Sequence, residues 1–202
     1  MRDPVTTSFQ IEEQPGVKVL RMISPNGTNT MTRAFVQLLA EAIEKLTSEV
    51  QGLVITGNDR FFSAGAELEQ IAALGGATAY EFANMGQMLM RILDEFPAPV
   101  YAAIGGYCMG GGLDLALACR HRIASPHAVF GHRGAALGLI TGWGGTQRLP
   151  RLIGRGRALE MFVAAERVSA VRGLQIGLVD AISEEPVQEC VRRILETRKH
   201  GE

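Results

Sequence analysis

The sequence predicts an α/β fold, and three observations carry that expectation. Strand-like and helix-like segments alternate along the chain, with no internal repeat and no low-complexity tract. Gly52–Thr56 (GLVIT) and Val100–Ile104 (VYAAI) are short, continuous apolar runs of the kind that form strands buried on both faces. Each run leads into a glycine-bearing turn and then into a helical pattern.

Taken in order, residues 17–23 (VKVLRMI) read as a strand, and 7–12 (TSFQIE) can pair with it. A turn follows at Ser24-Pro25-Asn26-Gly27. Phe35, Leu38, Leu39, Ala42, Ile43 and Leu46 recur at helical spacing and mark one face of a helix. After Gly52–Thr56, the loop RFFSAGAE runs into a helix at about 66–74, and a second helix covers roughly 78–95, stopping before Pro97 and Pro99. Val100–Ile104 leads through Gly105-Gly106-Tyr107 into Gly110-Gly111-Gly112 and a helix to about Cys119. Short strands are expected near 121–124 and 128–131. The loop GLITGWGG opens a helical stretch from about 145 to 165, followed by a helix at 169–176, a strand at 178–182 and a terminal helix at 187–198.

The 202 residues suit one domain with a single core. Hydrophobic residues make up 47% and charged residues 20%, an ordinary globular balance. With 20 Lys and Arg against 21 Asp and Glu, the net charge of -1 points away from nucleic acid or an anionic membrane as partner. No apolar stretch is long enough to span a bilayer, and the start, MRDPVTTSFQIEEQ, lacks the apolar core of a signal peptide. Cys108, Cys119 and Cys190 are odd in number and widely spaced, which suggests reduced core thiols in a cytoplasmic protein. His121, His127 and His200 have no partners at metal-ligand spacing, so no metal is expected.

Two segments share one design: a buried strand, a glycine-rich turn, then the start of a helix. They are Leu53–Thr56 followed by Ser63-Ala64-Gly65-Ala66, and Val100–Ile104 followed by Gly110-Gly111-Gly112. A helix start leaves backbone N–H groups unpaired and carries the positive end of the peptide dipoles. Two such turns facing one another could aim two N–H groups at one oxygen, which is what an oxyanion hole requires. Either turn alone could equally do no more than reverse the chain. Dinucleotide and phosphate-loop glycine patterns do not fit, and the GxSxG of a nucleophile elbow is absent.

Phe62-Ser63-Ala64-Gly65-Ala66-Glu67-Leu68 resembles the F-S-A-G-A-D-L segment of the crotonase (enoyl-CoA hydratase/isomerase) superfamily. Residues 103–116 (AIGGYCMGGGLDLA) resemble its second signature, a strand followed by G-x-x-x-G-G-G-x-E-L-A. Residues 142–149 (GWGGTQRL) resemble its G-x-G-G-T-Q-R-L helix start, and 170–180 its A-x-x-A-x-x-x-G-L-V segment. The match runs in order from about residue 17 to 183. The resemblance implies a spiral of repeated β-β-α units with a shortened C-terminal helical region. The core domain would span 1–183, with a short helix and tail at 184–202. It also implies a homotrimer or hexamer that binds an acyl-CoA or another acyl thioester. Ala66 and Gly111 would form the oxyanion hole. Ala64, Gly65, Leu68, Gly110, Gly134 and Trp143 would contact the substrate, Ala64 and Ala66 through carbonyls near the adenine and Trp143 at the acyl pocket.

Hydratases of this family use two glutamates. The first position is Asp114 here, one methylene shorter, and the second is Gly134, which carries no carboxylate. A further position, acidic in some members, is Gly142. Beside Gly134, His132 could serve in proton transfer, since imidazole titrates near neutrality, or it could face solvent or a neighbouring subunit. Arg133 could grip a substrate carboxylate or form a surface ion pair. Cys108 lacks an activating base and reads as core. Family members usually continue with helices that cover the acyl pocket, so a more open pocket, or one closed by a partner, is expected. The leading expectation is a lyase or isomerase working through a thioester enolate, with Asp114 as acid/base and no cofactor beyond the CoA of the substrate. The alternatives are a non-catalytic acyl-CoA-binding or assembly protein and an acyl-CoA decarboxylase.

Overall fold

The computed structural model describes residues 7–46 and 50–199; the first six residues, Thr47–Glu49 and the segment from His200 onward lie outside it. The chain begins with an antiparallel hairpin of β1 (Ser8–Gln14) and β2 (Val17–Ile23), in register from Ser8↔Ile23 to Gln14↔Val17. A two-residue strand, β3 (Thr30–Met31), leads into α1 (Arg33–Lys45). Thr32 caps that helix, its hydroxyl accepting from the Phe35 N–H, and Phe35, Val36, Leu39 and Ile43 form its buried face. Leu38, read as part of the apolar face, is instead exposed.

Three strand–strand–helix passes follow. The first is β4 (Gly52–Thr56), β5 (Phe61–Ser63), the short β6 (Gly65–Ala66), α2 (Leu68–Ala72) and α3 (Gly76–Asp94). The second is β7 (Val100–Ile104), β8 (Tyr107–Met109) and α4 (Gly111–Ala118). The third is β9 (His121–Ala124), β10 (Val129–Gly131), a single 3-10 turn at Gly134–Leu137, then α5 (Gly145–Ile153) and α6 (Arg155–Val163). The chain ends with β11 (Val168–Ser169), α7 (Ala170–Ile176), β12 (Ala181–Ile182) and α8 (Pro186–Lys199).

Each pass gives its first strand to one sheet and its second to another. The larger sheet runs β1-β2-β4-β7-β9-β12, parallel from β2 onward, and the smaller runs β11-β10-β8-β5. This is the expected repeating β-β-α pattern. It also explains the continuous apolar runs. In β4, Leu53 and Ile55 face the main core while Val54 faces a second cluster under α8 with Cys190, Val191 and Ile194. In β7, Ala102 and Ile104 join the main core and Tyr101 and Ala103 the second. With apolar cover on both faces these strands are almost wholly apolar, and the polar side chain that ends β4, Thr56, is buried with its hydroxyl donating to the Ala103 carbonyl at 2.9 Å.

Two expectations need adjustment. The helical stretch at 145–165 is two helices, because Gly154 (φ +87°) ends α5 and begins α6. The strand read at 178–182 narrows to Ala181–Ile182, since Leu178 and Val179 are core residues of the loop before it. No helix among the described residues is long and apolar enough to cross a membrane.

Candidate active site

Strands β5, β8 and β10 lie side by side and parallel, with Phe61 opposite Tyr107 and Met109 opposite Gly131. Their C-terminal ends therefore open at one edge, the place where α/β sheets generally receive ligands. From β5 the chain enters the Ala64-Gly65-Ala66 turn, from β8 the Gly110-Gly111 turn, and from β10 His132.

The first turn is held in shape by polar groups behind it. The Ser63 hydroxyl donates to the Asn29 carbonyl at 2.7 Å and accepts from the Gly65 N–H at 3.1 Å. Asn29 Nδ2 donates to the carbonyls of Phe61 and Phe62. Both turns need glycine, since Gly65 sits at φ +94° and Gly110 at φ +50°. They also nearly touch. A Cβ on Gly65 would lie 2.6 Å from the Met109 carbonyl oxygen and 3.1 Å from the Gly111 nitrogen, and one on Gly111 would lie 3.4 Å from the Ala66 nitrogen. The structure thus brings Ala66 and Gly111 together, and Gly111 is the first residue of α4, where the N–H has no partner within the helix.

One turn into α4, Asp114 is buried, with only 1% of its surface exposed, and His132 is 4% exposed. Their side chains meet, Asp114 Oδ1 lying 3.2 Å from His132 Nε2. The approach is too poorly aligned for a hydrogen bond, and neither atom has another hydrogen-bond partner among the described residues. The second Asp114 oxygen, Oδ2, accepts from the Thr141 hydroxyl. Gly145 closes the far side. A Cβ there would fall 2.2 Å from Asp114 Oδ1 and 3.0 Å from His132 Nε2. The His132 ring packs against Phe162 of α6, centroids 5.2 Å apart. A buried carboxylate beside an imidazole, each with an unpaired polar atom, is costly for a fold to keep and is typical of sites that move protons.

The remaining expected residues are distributed unevenly. Trp143 is buried between α3 and α4 and donates from Nε1 to the Phe82 carbonyl at 3.1 Å. Ala64 and Leu68 are exposed at the rim of the first turn. Gly134 does not leave an open slot for a carboxylate. Its Cα faces the Leu139 carbonyl, 2.8 Å from where a Cβ would stand, and its own carbonyl accepts from the Leu139 N–H. Arg133 is exposed and is not among the groups that meet Asp114. Cys108 is fully buried, and burial pushes its thiol well up, away from a reactive thiolate. Among the described residues no group of three or more His, Cys, Asp or Glu side chains could hold a metal ion.

Thr141, Gly145, Phe82 and Gly86 complete the site and were not singled out in the sequence. Gly86 left a trace there, as a small residue on the apolar face of α3 shared with Phe82, Leu89, Met90 and Leu93. Thr141 left none.

The sequence profile of the enoyl-CoA hydratase/isomerase family matches residues 12–200. A crotonyl-CoA hydratase of Syntrophomonas wolfei is 35% identical over 175 residues, covering 85% of this chain and 67% of that protein. A probable enoyl-CoA hydratase of Bacillus subtilis is 39% identical over 166 residues, covering 81% of this chain and 64% of that protein. This chain thus spans about two thirds of the length of these relatives. Among solved structures, Pseudomonas aeruginosa DspI superposes with a TM-score of 0.90 at 35% identity, over 98% of this chain and 82% of that one.

Proposed function

Because the chain belongs to the enoyl-CoA hydratase/isomerase family, we propose that it hydrates an enoyl-CoA, or shifts its double bond, through a thioester enolate. The observation that carries this reading is the meeting of the Ala66 and Gly111 turns beside the buried Asp114–His132 pair. The similarity to a crotonyl-CoA hydratase supports the same chemistry.

In this reading the N–H groups of Ala66 and Gly111 receive the thioester oxygen. Charge gathers there as the enolate forms, so fixed donors stabilise the transition state more than the ground state. For hydration, the oxygen of water bonds to the β-carbon while one of its protons passes to the Asp114–His132 pair. The π electrons move onto the thioester oxygen. The pair then returns a proton to the α-carbon, and the enolate collapses to restore the thioester carbonyl. For isomerisation, the pair takes a proton from one carbon flanking the enolate and returns it at the other end of the conjugated system. One acid/base group suffices for isomerisation, whereas hydration is served by two, and in this reading His132 stands in for the carboxylate that Gly134 lacks. The substrate supplies its own coenzyme A, and no other cofactor enters. Family membership supports a homotrimer or hexamer in the cytoplasm as the working form, which light scattering on the purified protein tests for the assembly.

Loss of the conjugated enoyl-thioester absorbance on mixing with crotonyl-CoA tests the reaction. Removing a positioned acid/base group should lower turnover by about 100-fold or more, so Asp114→Ala and His132→Ala should each come close to silence. Full activity in His132→Ala would remove the imidazole from the mechanism, and full activity in both variants would refute the assignment. Protein that binds the thioester and leaves it unchanged would instead favour the non-catalytic reading.

A further inference from the structure

We propose that Thr141 is a positioning residue for the Asp114–His132 pair, an assignment that rests on the proton-transfer reading above. Its hydroxyl holds one oxygen of the carboxylate and so presents the other to the imidazole.

The carboxylate needs such a hold. The last torsion of an aspartate side chain is broad, with no staggered well to fix which oxygen points where. Asp114 stands in the first turn of α4, and its backbone N–H donates to the Gly110 carbonyl at 3.0 Å. Its side chain draws nothing from that helix. Among the described residues the Thr141 hydroxyl, donating to Oδ2, is the one hydrogen-bond donor to the carboxylate. Oδ1 is left facing His132 Nε2 at 3.2 Å.

The loop that delivers the hydroxyl is itself fixed. The next two residues are tied to α3, because Gln87 Nε2 donates to the Gly142 carbonyl at 2.8 Å and Trp143 Nε1 donates to the Phe82 carbonyl at 3.1 Å. The Thr141 methyl group is placed as closely. A Cβ on Gly145 would stand 2.8 Å from Thr141 Cγ2, as well as 2.2 Å from Asp114 Oδ1 and 3.0 Å from His132 Nε2. Thr141, Asp114 and His132 thus converge on one point beside Gly145, and Thr141 supplies a donor there without adding a charge. Proton transfer depends on donor and acceptor staying within hydrogen-bond reach, so an oxygen free to turn away from His132 slows the chemical step and leaves binding alone.

The hydroxyl and the methyl group can be separated. Thr141→Val keeps the shape and removes the donor, whereas Thr141→Ser keeps the donor. In the full chain with crotonyl-CoA, Thr141→Val should lower kcat at least about tenfold with KM little changed, because the Ala66 and Gly111 turns are untouched. Thr141→Ser should recover most of that loss. Thr141→Ala takes the place of Thr141→Val if the valine variant does not fold. A second readout needs no turnover. The ring signals of His132 are followed by NMR at one pH, identified among the four histidines by their loss in His132→Gln. Thr141→Val should move them and leave the other three histidines in place, and Thr141→Ser should leave all four close to wild type. Full kcat in Thr141→Val, a loss confined to KM, an equal loss in Thr141→Ser, or unmoved His132 signals in Thr141→Val overturns the proposal. Wild type that leaves crotonyl-CoA unchanged, while the His132 signals move as expected, would end the hydratase reading and leave the orienting role of Thr141 standing.

Discussion

At the scale of single residues, the site depends as much on side chains that are missing as on those present. Gly145 shows this most directly, since any Cβ there would land on Asp114 Oδ1 and against His132 Nε2. Gly145→Ala must therefore push the carboxylate away from the imidazole or shift α5, a local overpacking that should cost about 1–3 kcal/mol. The expected outcome is a folded protein with a lowered melting temperature and crotonyl-CoA turnover reduced at least as much as in His132→Ala. Full activity in a folded Gly145→Ala would mean that the contact between Asp114 and His132 is unimportant. The glycine turns and Asp114 were legible in the sequence because they sit in contiguous motifs. The partnership of His132 with Asp114 was not, because it depends on β10 being carried alongside β8. Thr141 was invisible for a related reason. A threonine in a glycine-rich loop gives no sign of which carboxylate its hydroxyl will reach.

At the scale of elements, the helices and the short strands β9 and β10 were readable in the sequence, whereas the short strands β5 and β8 were not. α1 was readable from its apolar period, and the structure adds a local device at its start, the Thr32 hydroxyl accepting from the Phe35 N–H at 3.2 Å. Thr32→Ala removes that acceptor and should cost about 1 kcal/mol. Chemical denaturation should show it as a lower midpoint with an unchanged slope, and an unchanged midpoint would mean the cap contributes nothing. β5 and β8 have three residues each, too few for a period of two to stand out from a loop. Yet these strands carry the two glycine turns to one edge, so what the sequence concealed is the geometry that the site needs. The break between α5 and α6 was hidden differently. Gly154 is followed by further helix-compatible sequence, and only its positive φ in the fold separates the two helices.

At the scale of the whole molecule, one buried cation ties the closing segment to the helix of the site. Arg122 of β9 is 4% exposed. Its guanidinium donates to the carbonyls of Cys119, just past the end of α4, and Leu178, at 2.7 and 2.9 Å. Its backbone N–H donates to Asp180 Oδ2 at 2.7 Å, and Nη2 lies 3.7 Å from the same oxygen. Burial pushes the Asp180 carboxyl upward, but the His121 ring, the Arg122 amide and the Arg122 guanidinium outweigh it and hold the group below the usual carboxylate range. A carboxylate depressed in the folded state adds stability that is fully present above its unfolded value of about 3.9 and is lost as pH falls through the folded value. Asp180→Asn should therefore melt below wild type at pH 7, and the gap should close on acidification below about pH 4, where wild type loses the same charge. A gap that stays constant across that range would show that the charge on Asp180 is not what holds Arg122. Asp180→Ala should be worse than Asp180→Asn at neutral pH, by about 1–3 kcal/mol, because it removes the oxygen that the Arg122 amide uses as well as the charge. Since Arg122 also holds the end of α4, that loss should reach the site itself. Crotonyl-CoA turnover in Asp180→Ala should then fall at temperatures where the protein is still folded, although Asp180 is not among the residues that meet Asp114.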